Sequence, residues 1–145
     1  MSKKYNVAIV GATGAVGETL ISILDQRKFP IENLYPLASK RSAGSKVKCQ
    51  GKSWTVEDLD TFDFSKVQIG IFSAGGDISE KYAPLAAAQG CIVIDNTSHF
   101  RRDDDIPLVV PEVNPHAIAN YTKRNKQFFK ILLWPWNHTF IFCFV

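Results

Sequence analysis

Cysteine is scarce in this sequence, and the cysteines lie far apart. The 145 residues include three of them, Cys49, Cys91 and Cys143. An odd number at such wide spacing excludes a disulfide framework, and no Cys-x-x-Cys pair is present to hold a metal, so we predict no metal site. This cysteine usage favours a reducing, cytoplasmic compartment, and no apolar signal-peptide segment precedes the first predicted strand.

Long apolar runs and a basic surface are also missing. The aromatic stretch from Lys126 to Val145 is interrupted by Pro135, Asn137 and His138, so it falls short of a membrane span. The net charge of +3 arises from four cations between positions 123 and 130, because residues 1–122 carry 13 Lys and Arg against 14 Asp and Glu. We therefore predict neither a membrane nor a nucleic-acid partner.

What the sequence does contain is an apolar strand that passes through glycines into an amphipathic helix. Residues 7–10 suit a strand buried on both faces, and Gly11, Gly14 and Gly17 follow it. The apolar residues of the helix recur at helical spacing, at Val16, Leu20, Ile21 and Leu24. Glycine permits a tight turn and a close approach of the backbone, so this pattern favours a pyrophosphate at the helix N-terminus. The alternative is a buried turn whose glycines serve only packing.

A second predicted strand, Asn33 to Ser39, ends in a basic and hydroxyl-rich turn, Ser39-Lys40-Arg41-Ser42-Ala43-Gly44. An NAD site presents a carboxylate near this point to the ribose 2′-hydroxyl, whereas an NADP site presents Arg and hydroxyl groups to a 2′-phosphate. The turn has no acid, and Arg41 can bind a phosphate through two hydrogen bonds. We predict NADP; the alternative is an ordinary polar loop.

Two further strands end in candidate binding loops. Val67–Phe72 leads through Ser73, Ala74, Gly75 and Gly76 into a helix from Ile78 to Gln89, with a predicted Asp77–Glu80 capping box and Gly90 as C-terminal cap. These small residues would let a cofactor lie close to the sheet, although a simple cap and turn is an equal alternative. Cys91–Asp95 precedes a loop in which Asn96 and Arg101 could hold a polar, anionic substrate, while His99 alone is more often a surface residue.

The remaining segments complete a fold prediction. Residues 46–56 indicate a peripheral hairpin around Gly51, Pro107–Val110 a short strand, and Asn114 with Pro115 the start of a helix. Cys49 and Cys91 are interpreted as structural thiols. The pattern predicts an α/β fold, a Rossmann-like, mostly parallel sheet with helices on both faces.

Five motifs, in order, resemble the N-terminal domain of aspartate-β-semialdehyde dehydrogenase over about residues 5–125. They are GATGAVG at 11–17, SKRSAG at 39–44, FSAGG at 72–76, DNTSHFR at 95–101 and VPEVN at 110–114. The resemblance implies reversible, NADP-dependent reductive dephosphorylation of L-aspartyl-4-phosphate to the semialdehyde, with release of inorganic phosphate, at the branch toward lysine, methionine and threonine.

The resemblance also implies site residues. Thr13 to Val16, Arg41 and Ser42 would bind NADP, and Arg101 the substrate phosphate, with Asn96 beside it. With the turns described above, the predicted NADP-binding set is Gly11, Thr13, Gly14, Ala15, Val16, Ser39, Arg41, Ser42, Ser73, Ala74 and Gly75.

The chain departs from the family after Asn125. The family nucleophile is a cysteine in an Asn-Pro-Asn-Cys motif, expected near position 132, where this sequence has Leu132; we therefore assign no catalytic residue. Family enzymes are homodimers whose second domain supplies a general-base histidine and most of the dimer interface, and the chain stops before it. We expect residues 1–125 to form the NADP-binding domain and 126–145 an aberrant aromatic tail from a frameshift or premature ending, without activity alone.

Other functions remain open at this point. The main alternative is a non-catalytic NADP-binding or interaction module whose hydrophobic tail docks on a partner. A short-chain dehydrogenase would need Tyr-x-x-x-Lys, but the residues four positions after the tyrosines are Ile9, Ser39, Ala86 and Asn125. N-acetylglutamyl-phosphate reductase shares the chemistry, but the SKRSAG and FSAGG segments look closer to the aspartate enzyme.

Overall fold

The computed structural model describes residues 3–104, 106–110 and 113–117 and the backbone of 128–131. Within these residues, seven strands form one sheet in which every pairing is parallel. In chain order these strands are β1 (Tyr5–Val10), β2 (Ile31–Ala38), β5 (Glu57–Asp58), β6 (Ile69–Phe72), β7 (Ile92–Asp95), β8 (Leu108–Val109) and β9 (Phe128–Ile131). A separate antiparallel hairpin pairs β3 (Lys46–Cys49) with β4 (Lys52–Thr55).

Two helices cover opposite faces of this sheet. Helix α1 (Ala15–Gln26) connects β1 to β2, and α2 (Gly76–Ala88) connects β6 to β7. Side chains alternate across β1, so Val7 and Ile9 pack in one apolar cluster with Leu20 and Leu24 of α1. On the other face of β1, Ala8 and Val10 pack in a second apolar cluster with Tyr82, Ala83 and Ala86 of α2. This arrangement confirms the predicted Rossmann-like class.

The strand order places a change of direction at the centre of the sheet. The order is β5-β2-β1-β6-β7-β9-β8, so the chain moves outward from β1 to one edge and then returns to begin again at β6. Because the strands are parallel, the turns after β1, β2, β6 and β7 all leave from the same edge. In open α/β sheets this carboxyl edge, at the point where the winding reverses, is where ligands bind.

Most predicted elements agree with the observed ones to within a few residues, but two local details were wrong. Val16 is 41% exposed, and the buried position in the first turn of α1 is Gly17. The Asp77–Glu80 capping box does not form, because α2 begins at an N-cap Gly75 with φ of 107° and no side-chain cap hydrogen bond. The predicted helix start at Asn114 and Pro115 agrees with a 3-10 turn at residues 115–117, although the Asn114 side chain accepts from the Val110 amide; the rest of that predicted helix lies outside the described residues.

Strand β9 was not predicted. Its backbone lies between β7 and β8, and Lys130 is opposite Asp95 of β7 on one side and Leu108 of β8 on the other. It falls within the segment interpreted as an aberrant tail, so this part of the tail occupies a position in the sheet. The rest of that segment lies outside the described residues.

Candidate functional site

The turn between β1 and α1 is fixed by backbone hydrogen bonds and by close backbone contacts that only glycine allows. Gly11 has φ of 89°, and its amide and that of Ala12 both donate to the Leu37 carbonyl of β2. A Cβ at Gly17 would lie 2.0 Å from the Gly11 carbonyl oxygen, so α1 packs directly against the turn. Packing therefore explains the glycines at 11 and 17.

Gly14 is different, because the fold does not require a glycine there. Its φ of −88° suits any residue, and a Cβ would have only the Gly11 carbonyl oxygen nearby, at 3.5 Å. Gly14 is the N-cap of α1 and makes no side-chain cap, and residues 13–16 are exposed. The first amides of α1 thus face an open edge that an anion can approach closely.

A cavity of about 410 Å³ lies at the carboxyl edge of the sheet. This volume falls in the range of small-molecule sites. The residues around it come from the turns after β1, β2, β5 and β6 and from α2: Gly11, Thr13, Gly14, Ala38, Ser39, Leu59, Asp60, Ser73, Ala74, Ile78 and Tyr82. The structure thus brings together six of the predicted NADP-binding residues, Gly11, Thr13, Gly14, Ser39, Ser73 and Ala74.

The other predicted NADP-binding residues lie outside the cavity lining. Ala15 and Val16 form the exposed first turn of α1, and Gly75 is the N-cap of α2. Arg41 and Ser42 belong to a turn directly after β2, in which the Ser42 amide donates to the Ser39 carbonyl at 2.9 Å. The Arg41 side chain is exposed, next in the chain to the cavity-lining end of β2.

Sequence reasoning missed one wall of the cavity, formed by Leu59, Asp60, Ile78 and Tyr82. The Asp60 carboxylate accepts a hydrogen bond from the Tyr82 hydroxyl, and Lys81 Nζ lies 3.5 Å from the same oxygen, Oδ1. The Tyr82 hydrogen bond, with a smaller contribution from the charge of Lys81, lowers the pKa of Asp60. Ile78 and Tyr82 are four positions apart on a predicted helix, so the sequence alone could have placed them on one face of it.

The predicted substrate loop is anchored by a buried carboxylate. Asp95, 1% exposed, accepts from the Ser79 hydroxyl at 3.1 Å, from the Thr97 amide at 2.8 Å and from the Thr97 hydroxyl at 3.1 Å. The Asn96 amide donates to the Phe72 carbonyl, which joins this loop to the end of β6. Asn96 therefore lies at the same edge as the cavity, one strand beyond its Ser73 wall, and Arg101 follows five residues later in the same loop.

The two cysteines in the described part of the chain are inert. Burial, with a smaller contribution from the negative charge of Asp25, raises the pKa of Cys49 to about 11. Burial also raises the pKa of Cys91 to about 12. Both thiols are buried and stay protonated near neutral pH, as expected of structural cysteines. Cys143 and Leu132 lie outside the described residues.

Neither a metal cluster nor a membrane-spanning helix is found in the described ranges. No group of three or more His, Cys, Asp or Glu residues among them could hold a metal ion. No described helix is both long enough and apolar enough to cross a bilayer.

The sequence profile of the family described as "Semialdehyde dehydrogenase, NAD binding domain" matches residues 6–121. The chain belongs to the semialdehyde dehydrogenase family. This assignment confirms the resemblance inferred from the five motifs, and it places the glycine turn and the cavity within the nucleotide-binding domain of a family of oxidoreductases.

Relatives and solved structures are similar over the same region. An aspartate-semialdehyde dehydrogenase of Shewanella sp. is 62% identical over 125 residues, which are 86% of this chain and 37% of the relative. The crystal structure of aspartate semialdehyde dehydrogenase II from Vibrio cholerae has a TM-score of 0.84 at 54% identity, covering 89% of this chain and 38% of that one. The Candida albicans enzyme, solved with NADP, has a TM-score of 0.75 at 25% identity, covering 89% and 42%. The chain thus spans about two-fifths of the length of these semialdehyde dehydrogenases.

Proposed function

We propose that this semialdehyde dehydrogenase chain is the NADP-binding part of a cytoplasmic aspartate-semialdehyde dehydrogenase. The enzyme would reduce L-aspartyl-4-phosphate to L-aspartate 4-semialdehyde and release phosphate, in the biosynthesis of lysine, methionine and threonine. The observation that carries the proposal is the cavity, where the β1 turn, the end of β2 and the end of β6 meet at the carboxyl edge. NADPH, when bound, supplies the hydride for this reduction.

The residues around the cavity fit a dinucleotide. Gly14 leaves open the space that a Cβ would fill, beside the uncapped first turn of α1. We assign the diphosphate to this turn, because backbone amides and the helix dipole both stabilise an anion there. Ser73 and Ala74 are small, so the cofactor can lie against the end of β6.

The preference for NADP over NAD is assigned to the turn after β2. Arg41 and Ser42 would bind the 2′-phosphate, Arg41 through its guanidinium and Ser42 through its hydroxyl, and positions 39–45 include no acid. The exposed Arg41 side chain is free to reach a phosphate near Ser39.

We expect Arg41→Ala to weaken NADPH binding about tenfold or more, since it removes a charge-assisted hydrogen bond, and to leave NADH binding unchanged. Arg27→Ala is the matched control, because Arg27 is an exposed cation at the far end of α1. Titration calorimetry with both cofactors measures the ratio of the NADPH and NADH affinities for each variant. Equal affinity of the unaltered chain for NADPH and NADH would contradict the role of Arg41.

The substrate phosphate is assigned to Arg101 and the polar substrate to Asn96, at the neighbouring strand end. Asp95 supports this assignment because it fixes the start of the loop through its two hydrogen bonds from Thr97. Arg101 contributes the positive charge that an acyl phosphate requires, and Asn96 an oriented amide.

We expect the 145-residue chain to show no turnover by itself, because position 132 carries leucine and the thiols of Cys49 and Cys91 are buried and protonated. The measurement is phosphate-dependent NADPH formation from aspartate semialdehyde, with a full-length relative as the positive control. Any phosphate-dependent turnover by the purified chain would refute the expectation.

The same inert thiols favour a second candidate, an NADP-binding module without catalysis. The two candidates differ in what a second domain does. Adding the separately expressed C-terminal part of a relative, which carries its own nucleophile, should restore turnover if the chain is part of an enzyme. A module that binds NADPH but never supports turnover in this mixture supports the second candidate.

A further inference from the structure

The cavity has two chemically different halves. One half is formed by the glycine turn and Ser39, where backbone and hydroxyl groups predominate. The other half combines apolar side chains from Leu59, Ile78 and Tyr82 with one carboxylate, Asp60. Leu59 and Tyr82 are each 6% exposed, so these apolar surfaces are firmly packed. This half suits a flat, largely apolar group that carries a polar edge.

The Asp60 carboxylate is held in place by α2. Its Oδ1 accepts from the Tyr82 hydroxyl, and Lys81 Nζ donates to that hydroxyl at 2.8 Å and lies 3.5 Å from Oδ1. In the described part of the chain, no hydrogen bond reaches Oδ2. The Tyr82 bond lowers the pKa of Asp60, so the group is ionised at neutral pH. An ionised carboxylate can only accept hydrogen bonds, and a ligand donor can therefore pair with Oδ2.

The position of Asp60 favours the base of a nucleotide over its ribose. A carboxylate next to a 2′-phosphate would repel it, and the groups assigned to that phosphate, Arg41 and Ser42, lie in the turn after β2. Asp60 is instead bonded to α2, among the apolar side chains that can cover a ring. The purine of a dinucleotide is the ligand part that combines apolar faces with an amino donor at its edge.

We propose that Asp60 is a specificity-determining residue that selects a 6-aminopurine, accepting a hydrogen bond from the exocyclic amino group while Leu59 and Ile78 cover the ring. This inference rests on the proposed binding of NADP. A 6-oxopurine such as hypoxanthine presents a carbonyl oxygen at that position. Two acceptors would then face each other, and the ionised carboxylate would lose its ligand partner.

The test compares NADPH with its hypoxanthine analogue by titration calorimetry. We expect the unaltered chain to bind NADPH about tenfold more tightly, the effect of losing one charged hydrogen bond at a partly exposed site. In Asp60→Asn, Oδ1 can keep the Tyr82 bond and Nδ2 can donate to the 6-oxo group. That variant should therefore bind the hypoxanthine analogue at least as tightly as NADPH.

Asp63→Asn is the matched control. Asp63 is also an exposed acid with a lowered pKa, caused by hydrogen bonds from Ser65, and it does not line the cavity. This variant should keep the preference of the unaltered chain. Circular dichroism of Asp60→Asn checks that the fold is retained. The ratio of the affinities for NADPH and the hypoxanthine analogue in the unaltered chain is a test that needs no variant.

The outcomes separate this inference from the proposed function. Equal binding of the two nucleotides by the unaltered chain, or an unchanged preference in Asp60→Asn, overturns the inference and leaves NADP binding standing. If Asp60→Asn gains affinity for NADPH but not for NADH, Asp60 lies beside the 2′-phosphate. That result also overturns the inference that Asp60 pairs with the purine. If the unaltered chain binds neither nucleotide, the proposed function fails and the inference fails with it.

Discussion

We expect Gly17→Ala to prevent stable folding, whereas Gly14→Ala, three residues earlier in the same turn, leaves the fold intact and impairs dinucleotide binding. A Cβ at position 17 would lie 2.0 Å from the Gly11 carbonyl oxygen and 2.8 Å from the Ala12 Cα. Both neighbours are backbone atoms, so α1 would have to move away from β1. We estimate a cost of at least about 4 kcal/mol, a large part of a typical domain's stability.

At position 14 an alanine meets nothing closer than 3.5 Å, and the backbone is in an ordinary extended conformation. Alanine is a poorer N-cap than glycine, but it also reduces the entropy of the unfolded chain, so stability should change by less than about 1 kcal/mol. The new methyl group would occupy space next to the amides assigned to the diphosphate. NADPH affinity should fall about tenfold or more.

Urea denaturation followed by circular dichroism measures the stability of both variants, and calorimetry measures NADPH binding. Equal destabilisation by the two substitutions would mean that the glycines serve only packing. Unchanged NADPH affinity in a folded Gly14→Ala chain would remove the diphosphate from this turn. The pair therefore separates the two interpretations that the glycine pattern leaves open.

The second large effect is expected at Asp95. Asp95→Ala should lower the free energy of unfolding by about 3 kcal/mol, because it leaves the Ser79 hydroxyl and the Thr97 amide without their acceptor in a buried site. The loop that carries Asn96 and Arg101 would also lose its anchor to α2. Asp95→Asn keeps one oxygen acceptor and should cost less, about 1 kcal/mol.

Denaturant titration of both Asp95 variants gives these values, and Glu80→Ala, an exposed acid on α2, is the control. Hydrogen exchange of the amides at 96–101 reports on the loop separately. If Asp95→Ala is as stable as the control and the exchange rates do not rise, the carboxylate does not organise this loop.

The fold class could be predicted from the sequence because the patterns that indicate its strands, turns and helices lie within short segments. Residues 7–10 are continuously apolar, and the strand is buried on both faces between α1 and α2. Glycines at 11 and 17 marked a turn whose geometry requires them. The same local signals failed at Gly75, where a residue with positive φ begins α2 and the Asp77–Glu80 pair makes no cap.

The apolar half of the site could not be predicted, because it depends on contacts between distant segments. Asp60 comes near the end of β2 only through the parallel pairing of Ala38 with Asp58, and it meets Tyr82 across 22 positions of sequence. Nothing in an acidic stretch at 57–65 indicates that partner. Strand β9 was missed because its segment has no alternating polarity and therefore gives no periodic signal.

The position of β9 has a consequence for how the chain is made. Strand β8 pairs with β9, while β7 and β8 are not adjacent, so the last of the described strands in sequence occupies an internal place in the sheet. During synthesis, β7 and β8 emerge from the ribosome before the strand that joins them. Until Ile131 has emerged, β7 exposes an unpaired edge on which another nascent chain can add a strand.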